Sequence, residues 1–225
     1  LTTLATQAGA RIGTVRAFEK TQLQASTDGL TGLINRRTLE NRVRPMIQAT
    51  EPFALAIADL DRFKQLNDTY GHEAGDRALR LFAEVLKRGT EEGDLVARQG
   101  GEEFVIVLPR KGVVDALRVL EGLRRSLADA VAAADIPVFT ASFGLTDASQ
   151  ADTLEGLLRI ADAGLYAAKQ RGRDRVIVGD AKQAADIARA GQMAGAVADA
   201  VAQPRPAIHA AAEEDEPRPS GVEIR

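Results

Sequence analysis

The sequence predicts an α/β fold, an α+β sandwich in which helices flank a mostly antiparallel central sheet. Short apolar runs alternate with amphipathic segments of helical period, and this alternation favours strands packed against helices. Two of the apolar runs are separated by a pair of glycines, which indicates a β-hairpin within the alternation. With 225 residues, of which 45% are hydrophobic, the chain can form one well-buried domain with additional segments at its ends.

The strands are predicted from continuous apolar runs, and the helices from apolar residues three and four positions apart. Residues 53–58 lie between Pro52 and Asp59 and predict a buried strand. The hairpin is expected to turn at Gly100-Gly101, since glycine tolerates the positive φ that tight turns require. In chain order, we predict a turn and helix in 28–48, a strand at 53–58, a helix at 72–87, hairpin strands at 95–98 and 103–108, a helix at 113–131, a strand at 138–145, a helix capped by Asp152, and a strand at 175–178.

The two ends of the chain are predicted to lie outside a globular domain at 27–180. Apolar residues in 1–26 recur at helical spacing and predict a signalling or dimerisation helix. This segment resembles the last helix of a GAF sensor domain, and because it starts without a capping residue we expect an upstream sensor domain in a longer protein. A simple linker helix is the alternative. Residues 181–225 are rich in alanine, proline and acidic residues, so we expect a largely disordered tail.

The composition excludes several classes of function. The chain has no cysteine, which rules out disulfides, thiolate metal sites and a cysteine nucleophile, and fits a cytoplasmic location. Its two histidines are too few for a histidine-rich zinc site. The formal net charge of −3 gives no reason to expect a nucleic-acid partner. No apolar stretch approaches the roughly 20 residues that span a bilayer, so we expect no membrane segment.

Three carboxylates are predicted to meet at one edge of the sheet. Asp59 follows the buried strand, while Glu102 and Glu103 follow the two glycines of the hairpin. Clustered carboxylates repel one another unless cations neutralise them, and oxygen ligands suit Mg²⁺ or Mn²⁺. Two such ions could activate an attacking hydroxyl and stabilise a leaving pyrophosphate. The alternative is that Asp59 caps the next turn and that both glutamates are solvated hairpin residues.

Four ordered sequence motifs cover residues 28–175. They are Asp28-Gly-Leu-Thr-Gly-Leu-Ile-Asn-Arg-Arg37, the segment 59–76, the signature Gly100-Gly101-Glu102-Glu103-Phe104, and the segment 161–173. Together they resemble the GGDEF family, the diguanylate cyclases, in a GGEEF variant. The resemblance implies a fold similar to the palm domains of adenylate cyclases and polymerases. It also implies a homodimeric enzyme that condenses two GTP molecules into cyclic di-GMP and two pyrophosphates, with two Mg²⁺ or Mn²⁺ ions per active site.

The resemblance implies a role for each matching residue. Glu102 and Lys64 are the implied catalytic residues, with Glu102 accepting the proton of the attacking 3′-hydroxyl. Without the resemblance, Lys169 and Arg173 would be interpreted as a solvated helix end. The implied metal ligands are Asp59, the backbone carbonyl of Leu60, Glu102 and Glu103. The implied substrate contacts are Phe63, Lys64, Asn67, Asp76, Lys169 and Arg173.

Asn67 and Asp76 are the implied guanine readers. A carboxylate accepts hydrogen bonds from the N1–H and 2-amino groups of guanine, and an amide can pair with O6. Adenine lacks both of those donors, so bound ATP would leave a carboxylate unpaired, and we expect selectivity for GTP. The alternative is that Asp76 only stabilises the dipole of a nearby helix.

One part of the sequence departs from the family pattern. Many relatives carry an inhibitory product site, Arg-x-x-Asp, in which the aspartate lies six residues before the first glycine. Here Asp94 is retained, but Glu91 replaces the arginine. Because a glutamate cannot make the bidentate contact of an arginine, we expect product inhibition to be weak or lost.

Several further side chains receive structural predictions. Asp61 is expected to cap the turn after the strand 53–58, in which Phe63 and Lys64 also lie, and a supporting role behind the metal ligands is the less favoured alternative for Asp61. Arg98 either orients the hairpin or faces solvent. His72 is assigned to a helix start, and Tyr70, Phe104 and Phe143 to the core.

The main alternative function is a catalytically silent domain of the same family that binds GTP or cyclic di-GMP and signals through partners. The presence of Asp59, Glu102 and Glu103 favours the active enzyme. A cyclase that also accepts ATP is disfavoured by Asp76.

Overall fold

A computed structural model describes residues 26–186 and residue 189. The predicted N-terminal helix, with its likeness to a GAF domain, and most of the predicted tail lie outside these residues, although 181–186 are helical. The boundaries at 26 and 180 therefore stay predictions. The elements are β1 (Ile34–Asn35), α1 (Arg36–Gln48), β2 (Phe53–Leu60), α2 (Phe63–Tyr70), α3 (His72–Gly89), β3 (Leu95–Gly100), β4 (Glu103–Pro109), α4 (Val113–Ala133), β5 (Ala141–Asp147), α5 (Leu154–Gln170) and β6 (Val176–Val178).

The six strands form one sheet in the order β1-β3-β4-β2-β5-β6. The pairs β3–β4, β4–β2 and β2–β5 are antiparallel. The short outer strands pair in parallel, β1 with β3 and β6 with β5. The predicted mostly antiparallel sheet with flanking helices is confirmed.

Helices cover both faces of the sheet, and this explains why β2 is a continuous apolar run. Alternate residues of β2 point to opposite faces. Ala54, Ala56 and Ala58 belong to the cluster that includes residues of α3 and α4. Phe53, Leu55 and Ile57 belong to the cluster on the other face, with residues of α1 and α5.

Three phenylalanine rings pack together in the core on one face of the sheet. Phe82 of α3 meets Phe104 of β4 edge-on at a centroid distance of 5.0 Å and Phe143 of β5 at 6.2 Å. On the other face, α5 approaches β5 closely at Gly144, where an added Cβ would lie 1.9 Å from the carbonyl oxygen of Ala161. This close contact fixes the height of α5 over the sheet.

Several local predictions were wrong. Tyr70 is 61% exposed, whereas Phe104 and Phe143 are fully buried as predicted. The cap of α5 is Thr153 instead of Asp152, because the Thr153 side chain accepts the amide of Gly156.

Strand and turn boundaries differ from the prediction in three places. The strand expected from 138 starts at Ala141. Phe63 and Lys64 begin helix α2, which was not predicted, although both were expected in a turn after the strand 53–58. Gly100 still pairs with Glu103, so the hairpin turns at Gly101-Glu102, one position later than predicted.

Candidate active site

The ends of three neighbouring strands place the candidate site at one sheet edge. Asp59, near the end of β2, pairs in register with Glu103 of β4 on one side and Ser142 of β5 on the other. The Asp59 side chain points into the protein and the residue is only 4% exposed. Leu60, the last residue of β2, donates its amide to the Glu102 carbonyl at 3.4 Å. The backbone thus brings all four implied metal ligands to one edge.

Arg98 fixes the hairpin turn that carries Glu102. Its guanidinium donates to the carbonyl oxygen of Gly101 from Nε at 3.0 Å and from Nη2 at 2.6 Å. The same group lies 3.1 Å from the Asp28 carboxylate. Of the two roles left open for Arg98, the structure therefore supports orientation of the hairpin.

Asp28 in turn is held by the loop that contains it. Its Oδ1 accepts both the amide of Thr31 at 2.9 Å and the Thr31 hydroxyl at 2.6 Å. Burial alone would raise the pKa of Asp28, but the hydrogen bonds from Thr31 and Arg98 outweigh this and hold the pKa below its ordinary value. A charged network therefore connects the segment just after residue 26 to the hairpin that carries Glu102.

The three carboxylates have raised pKa values. Burial raises the pKa of Asp59 even though Lys169 Nζ lies only 2.8 Å from its Oδ1. Partial burial and the charge of Asp59 raise the pKa of Glu102. Loss of solvent, followed by the charges of Asp59 and Asp162, raises the pKa of Glu103. One lysine therefore does not fully neutralise the negative charge at this edge.

The donor set fits a hard divalent cation only in part. The ligands available are carboxylate and carbonyl oxygens, which Mg²⁺ and Mn²⁺ prefer, and the raised pKa values indicate uncompensated negative charge. Within residues 26–186 and 189, however, no group of three or more acidic or histidine side chains is arranged to hold a metal ion. The backbone brings Asp59, Glu102 and Glu103 to one edge as predicted, and their pKa values are raised together. The side chain that contacts Asp59, however, is that of Lys169.

Asn67 and Asp76 lie on two helices that pack side by side. Asn67 is on α2, and its Oδ1 is buried without a hydrogen-bond partner in the structure. Gly75 of α3 faces it closely, since an added Cβ would lie 1.9 Å from that oxygen and 3.0 Å from Phe63 Cζ. Asp76, the next residue of α3, is half-exposed, with Arg80 at 4.0 Å. The buried Asn67 oxygen and the half-exposed Asp76 carboxylate thus lie on neighbouring helices, and both are hydrogen-bond acceptors.

The implied phosphate contacts surround the same edge. Lys64 is exposed in the first turn of α2, beside the buried Phe63. Lys169 reaches Asp59 from the last turn of α5 and is not a solvated helix end. Arg173 lies in the loop after α5 and has a left-handed backbone conformation, with a φ of 65°.

Asp61 does not cap the turn after β2. It is a buried residue that accepts the side-chain hydroxyls of Thr140 and Ser142 and the amide of Asp174. No local pattern indicates these contacts, because the partners are 79 to 113 residues away in the chain.

Glu91 and Asp94, the residues expected to form a degenerate inhibitory site, contact each other and a lysine. Asp94 accepts the amide of Glu91 through Oδ2, and Lys111 Nζ lies 3.3 Å from its Oδ1. The same ammonium group is 3.0 Å from Glu91 Oε2. Sequence reasoning missed Lys111, which lies outside every motif.

Comparison with known proteins identifies the family. A family model described as "Diguanylate cyclase, GGDEF domain" matches residues 25–175. The chain is 38% identical over 166 residues to diguanylate cyclase DgcM of Escherichia coli K12, covering 72% of this chain and 40% of that protein. It is 38% identical over 163 residues to diguanylate cyclase VdcA of Vibrio cholerae, covering 70% of this chain and 48% of that protein. The chain thus spans less than half the length of both relatives.

A solved structure with a similar fold agrees with this. The coiled coil and GGDEF domain of DgcB from Caulobacter crescentus, in complex with c-di-GMP, superimposes with a TM-score of 0.67 at 29% identity, covering 77% of this chain and 96% of that chain. In the part of the chain that the structure describes, no helix has the length and apolar character to cross a membrane. The chain belongs to the GGDEF-domain diguanylate cyclase family.

Proposed function

We propose that this chain is the catalytic domain of a diguanylate cyclase, which condenses two GTP molecules into cyclic di-GMP and two pyrophosphates. The observation that carries the proposal is the sheet edge where Asp59, Glu102 and Glu103, all with raised pKa values, lie beside Lys169. Membership of the GGDEF family and the 38% identity to two curated diguanylate cyclases support it.

Two Mg²⁺ or Mn²⁺ ions per active site would be held by Asp59, the Leu60 carbonyl, Glu102 and Glu103, and would activate the 3′-hydroxyl and neutralise the leaving pyrophosphate. Glu102 accepts the proton of the 3′-hydroxyl at its carboxylate, and its raised pKa makes it a stronger base than an ordinary glutamate.

Positive side chains bind the triphosphate around this edge. Lys64, Lys169 and Arg173 offset the negative charge that develops on the phosphate oxygens. In the unliganded chain the ammonium of Lys169 is held by Asp59, so we propose that Lys169 exchanges this contact for the triphosphate when substrate binds. The backbone at Phe63 and Lys64, at the start of α2, can add amide donors to phosphate oxygens.

Guanine is read by Asn67 and Asp76. The Asn67 NH₂ group can donate to guanine O6, and the accessible carboxylate of Asp76 can accept from N1–H and the 2-amino group. ATP would leave these groups unpaired and would therefore bind less tightly.

The proposed enzyme acts as a homodimer. Each chain holds one GTP and the product has two-fold symmetry, so two active sites must face each other. The segment 1–26 is the proposed lever through which an upstream sensor domain aligns them.

Product inhibition is proposed to be weak or absent. A glutamate at position 91 cannot make the bidentate contact of an arginine, and Lys111 Nζ lies 3.0 Å from Glu91 and 3.3 Å from Asp94.

A silent receptor that binds GTP or cyclic di-GMP is the second candidate. In this candidate Lys169, at 2.8 Å from Asp59, would offset the charge of that carboxylate without a metal ion. The retention of all three acidic residues favours the cyclase.

One experiment separates the two candidates. The protein is incubated with GTP and Mg²⁺ beside a Glu102→Ala variant, and the nucleotides are resolved by chromatography with mass detection. Cyclic di-GMP from the native chain alone, at a specific activity that rises with protein concentration, supports the dimeric cyclase. GTP binding and dimerisation without product would establish the silent receptor instead.

A further inference from the structure

Asp61 is a buried carboxylate that no step of the proposed reaction uses. It is 7% exposed and lies just beyond the end of β2, two residues after Asp59. Its Oδ2 accepts the hydroxyl of Thr140 at 2.6 Å and the amide of Asp174 at 3.1 Å. Its Oδ1 accepts the hydroxyl of Ser142 at 2.7 Å. Asp61 therefore joins the end of β2, the start of β5 and the loop after α5.

The loop that Asp61 holds has an unfavourable backbone. Arg173 and Asp174 are consecutive non-glycine residues with φ of 65° and 45°. The left-handed conformation disfavours residues with a side chain, and it persists where the surrounding structure fixes it. Two contacts fix it from outside the loop: Asp61 accepts the Asp174 amide, and Arg124 Nη1 lies 3.2 Å from both Asp174 carboxylate oxygens.

The conformation leaves Arg173 available for a ligand. The Arg173 amide donates to the Ala168 carbonyl at 2.9 Å, which closes the end of α5. Within the described residues, no ion pair or hydrogen bond holds its guanidinium, and the residue lines an open cleft of about 530 Å³ beside Asp61 and Thr140. A preset loop conformation lowers the entropic cost of aligning this side chain with a phosphate.

We propose that Asp61 is a positioning residue that sets the loop 171–175 against β2 and so orients Arg173 toward the triphosphate of GTP. This inference rests on the proposed function, because it assigns the ligand of Arg173 as a phosphate group. Asp61 thereby couples the strand that carries Asp59 to the loop that carries Arg173, so that both approach the nucleotide with one fixed geometry.

If Asp61 acts through its negative charge instead of its hydrogen bonds, the asparagine and alanine variants should behave differently from what positioning predicts. In Asp61→Asn, the amide oxygen can accept from Thr140 and Asp174, while the NH₂ group donates to the Ser142 hydroxyl, which can also accept. All three connections can be kept without the charge. In Asp61→Ala all three are lost. Positioning therefore predicts that asparagine restores function, and a charge effect predicts that it does not.

The test compares Asp61→Ala, Asp61→Asn, Arg173→Ala and the double variant Asp61→Ala/Arg173→Ala with the native chain. Binding of a slowly reacting α-thio analogue of GTP is measured beside binding of guanosine, and hydrogen exchange is followed at residues 171–175. Asp147→Ala is the matched control, since Asp147 lies at the opposite end of β5 and bonds only locally to Ser149.

We expect Asp61→Ala to bind the analogue about tenfold more weakly and guanosine unchanged, with faster exchange in 171–175. Asp61→Asn stays within about twofold of the native chain, and Asp61→Ala adds nothing to Arg173→Ala. If Asp61→Ala does not fold, Arg124→Ala loosens the second tether and should shift the same readouts in the same direction.

Native binding of the analogue by Asp61→Ala with a protected loop would overturn the proposal. Equal losses in Asp61→Ala and Asp61→Asn would also overturn it, in favour of a charge effect. If the native chain binds no guanine nucleotide, the proposed function fails, and hydrogen exchange alone then decides whether Asp61 sets the loop.

Discussion

Substitution of Gly75 by alanine tests the proposed guanine site without replacing any residue that is proposed to contact the nucleotide. The new Cβ would lie 1.9 Å from Oδ1 and 2.9 Å from Cγ of Asn67. Restoring ordinary van der Waals contact requires the Asn67 amide to move by roughly 1.5 Å. The overlapping atoms belong to a side chain, so Asn67 can turn away while α2 and α3 stay folded. Alanine also favours the helical backbone over glycine by about 1 kcal/mol, which offsets part of the strain.

The expected result is a loss of nucleotide recognition in a folded protein. A displacement of this size at a hydrogen-bonding group costs on the order of 10- to 100-fold in affinity, or about 1.4 to 2.7 kcal/mol. We therefore expect the KM for GTP to rise by that factor and the preference for GTP over ATP to fall, with the melting temperature changed by only a few degrees. Binding is measured by titration, and folding by circular dichroism.

The control for this substitution is Gly122→Ala on α4, where an added Cβ meets nothing within 4 Å. It should bind GTP as the native chain does. A double variant with Asn67→Ala should be no weaker than Asn67→Ala alone, because both changes remove the same contact. Unchanged GTP affinity in Gly75→Ala would refute the assignment of Asn67 as a guanine reader.

Three further predictions concern the hairpin network and the product site. Arg98→Lys removes the paired contacts to the Gly101 carbonyl and should lower kcat about tenfold or more with little change in GTP affinity. Steady-state kinetics and direct binding measure the two effects, and a loss of GTP affinity as large as the loss of kcat would contradict this. Asp28→Asn should destabilise the fold by about 1 kcal/mol at neutral pH. The pKa of Asp28 is lower in the folded state than in the unfolded state, so the difference in unfolding free energy between the native chain and Asp28→Asn is fully present above the unfolded-state pKa. It should disappear as the pH falls through the folded-state pKa. Denaturant titrations at several pH values check this. Cyclic di-GMP should leave the native rate unchanged in product-addition assays, and Glu91→Arg should increase inhibition because it restores a guanidinium at this position. Strong inhibition of the native chain would contradict the proposal.

The architecture could be predicted because it depends on local patterns. A strand covered by helices on both faces must be apolar at every position, and residues 53–58 carry that pattern unambiguously. The pair Gly100-Gly101 located the hairpin to within one residue, and the shift arises from an irregularity between Arg98 and Gly100 that no pattern encodes. Helix α2 was missed because its eight residues are too few for a clear apolar period.

The site was predictable only as far as family motifs reach. Asp59, Glu102 and Lys169 come from three motifs, and the fold brings them to one edge. The contacts that set their geometry join residues far apart in sequence, as Asp61 does with Asp174 and Lys111 with Glu91. Such contacts depend on where strands and helices end in space, and neither spacing nor residue type specifies that.

The contact between Lys169 and Asp59 links the proposed binding of substrate to the proposed binding of metal. Lys169 is the group that contacts Asp59, yet burial keeps the pKa of Asp59 raised and leaves Glu102 and Glu103 with raised pKa values as well. If Lys169 moved to the triphosphate alone, Asp59 would be left buried beside two carboxylates without a counter-charge, which is costly. If a cation bound alone, it would compete with the ammonium of Lys169 at the same carboxylate. Each event is favourable only when the other takes place, so we expect GTP and the divalent ion to bind with positive coupling that passes through Lys169.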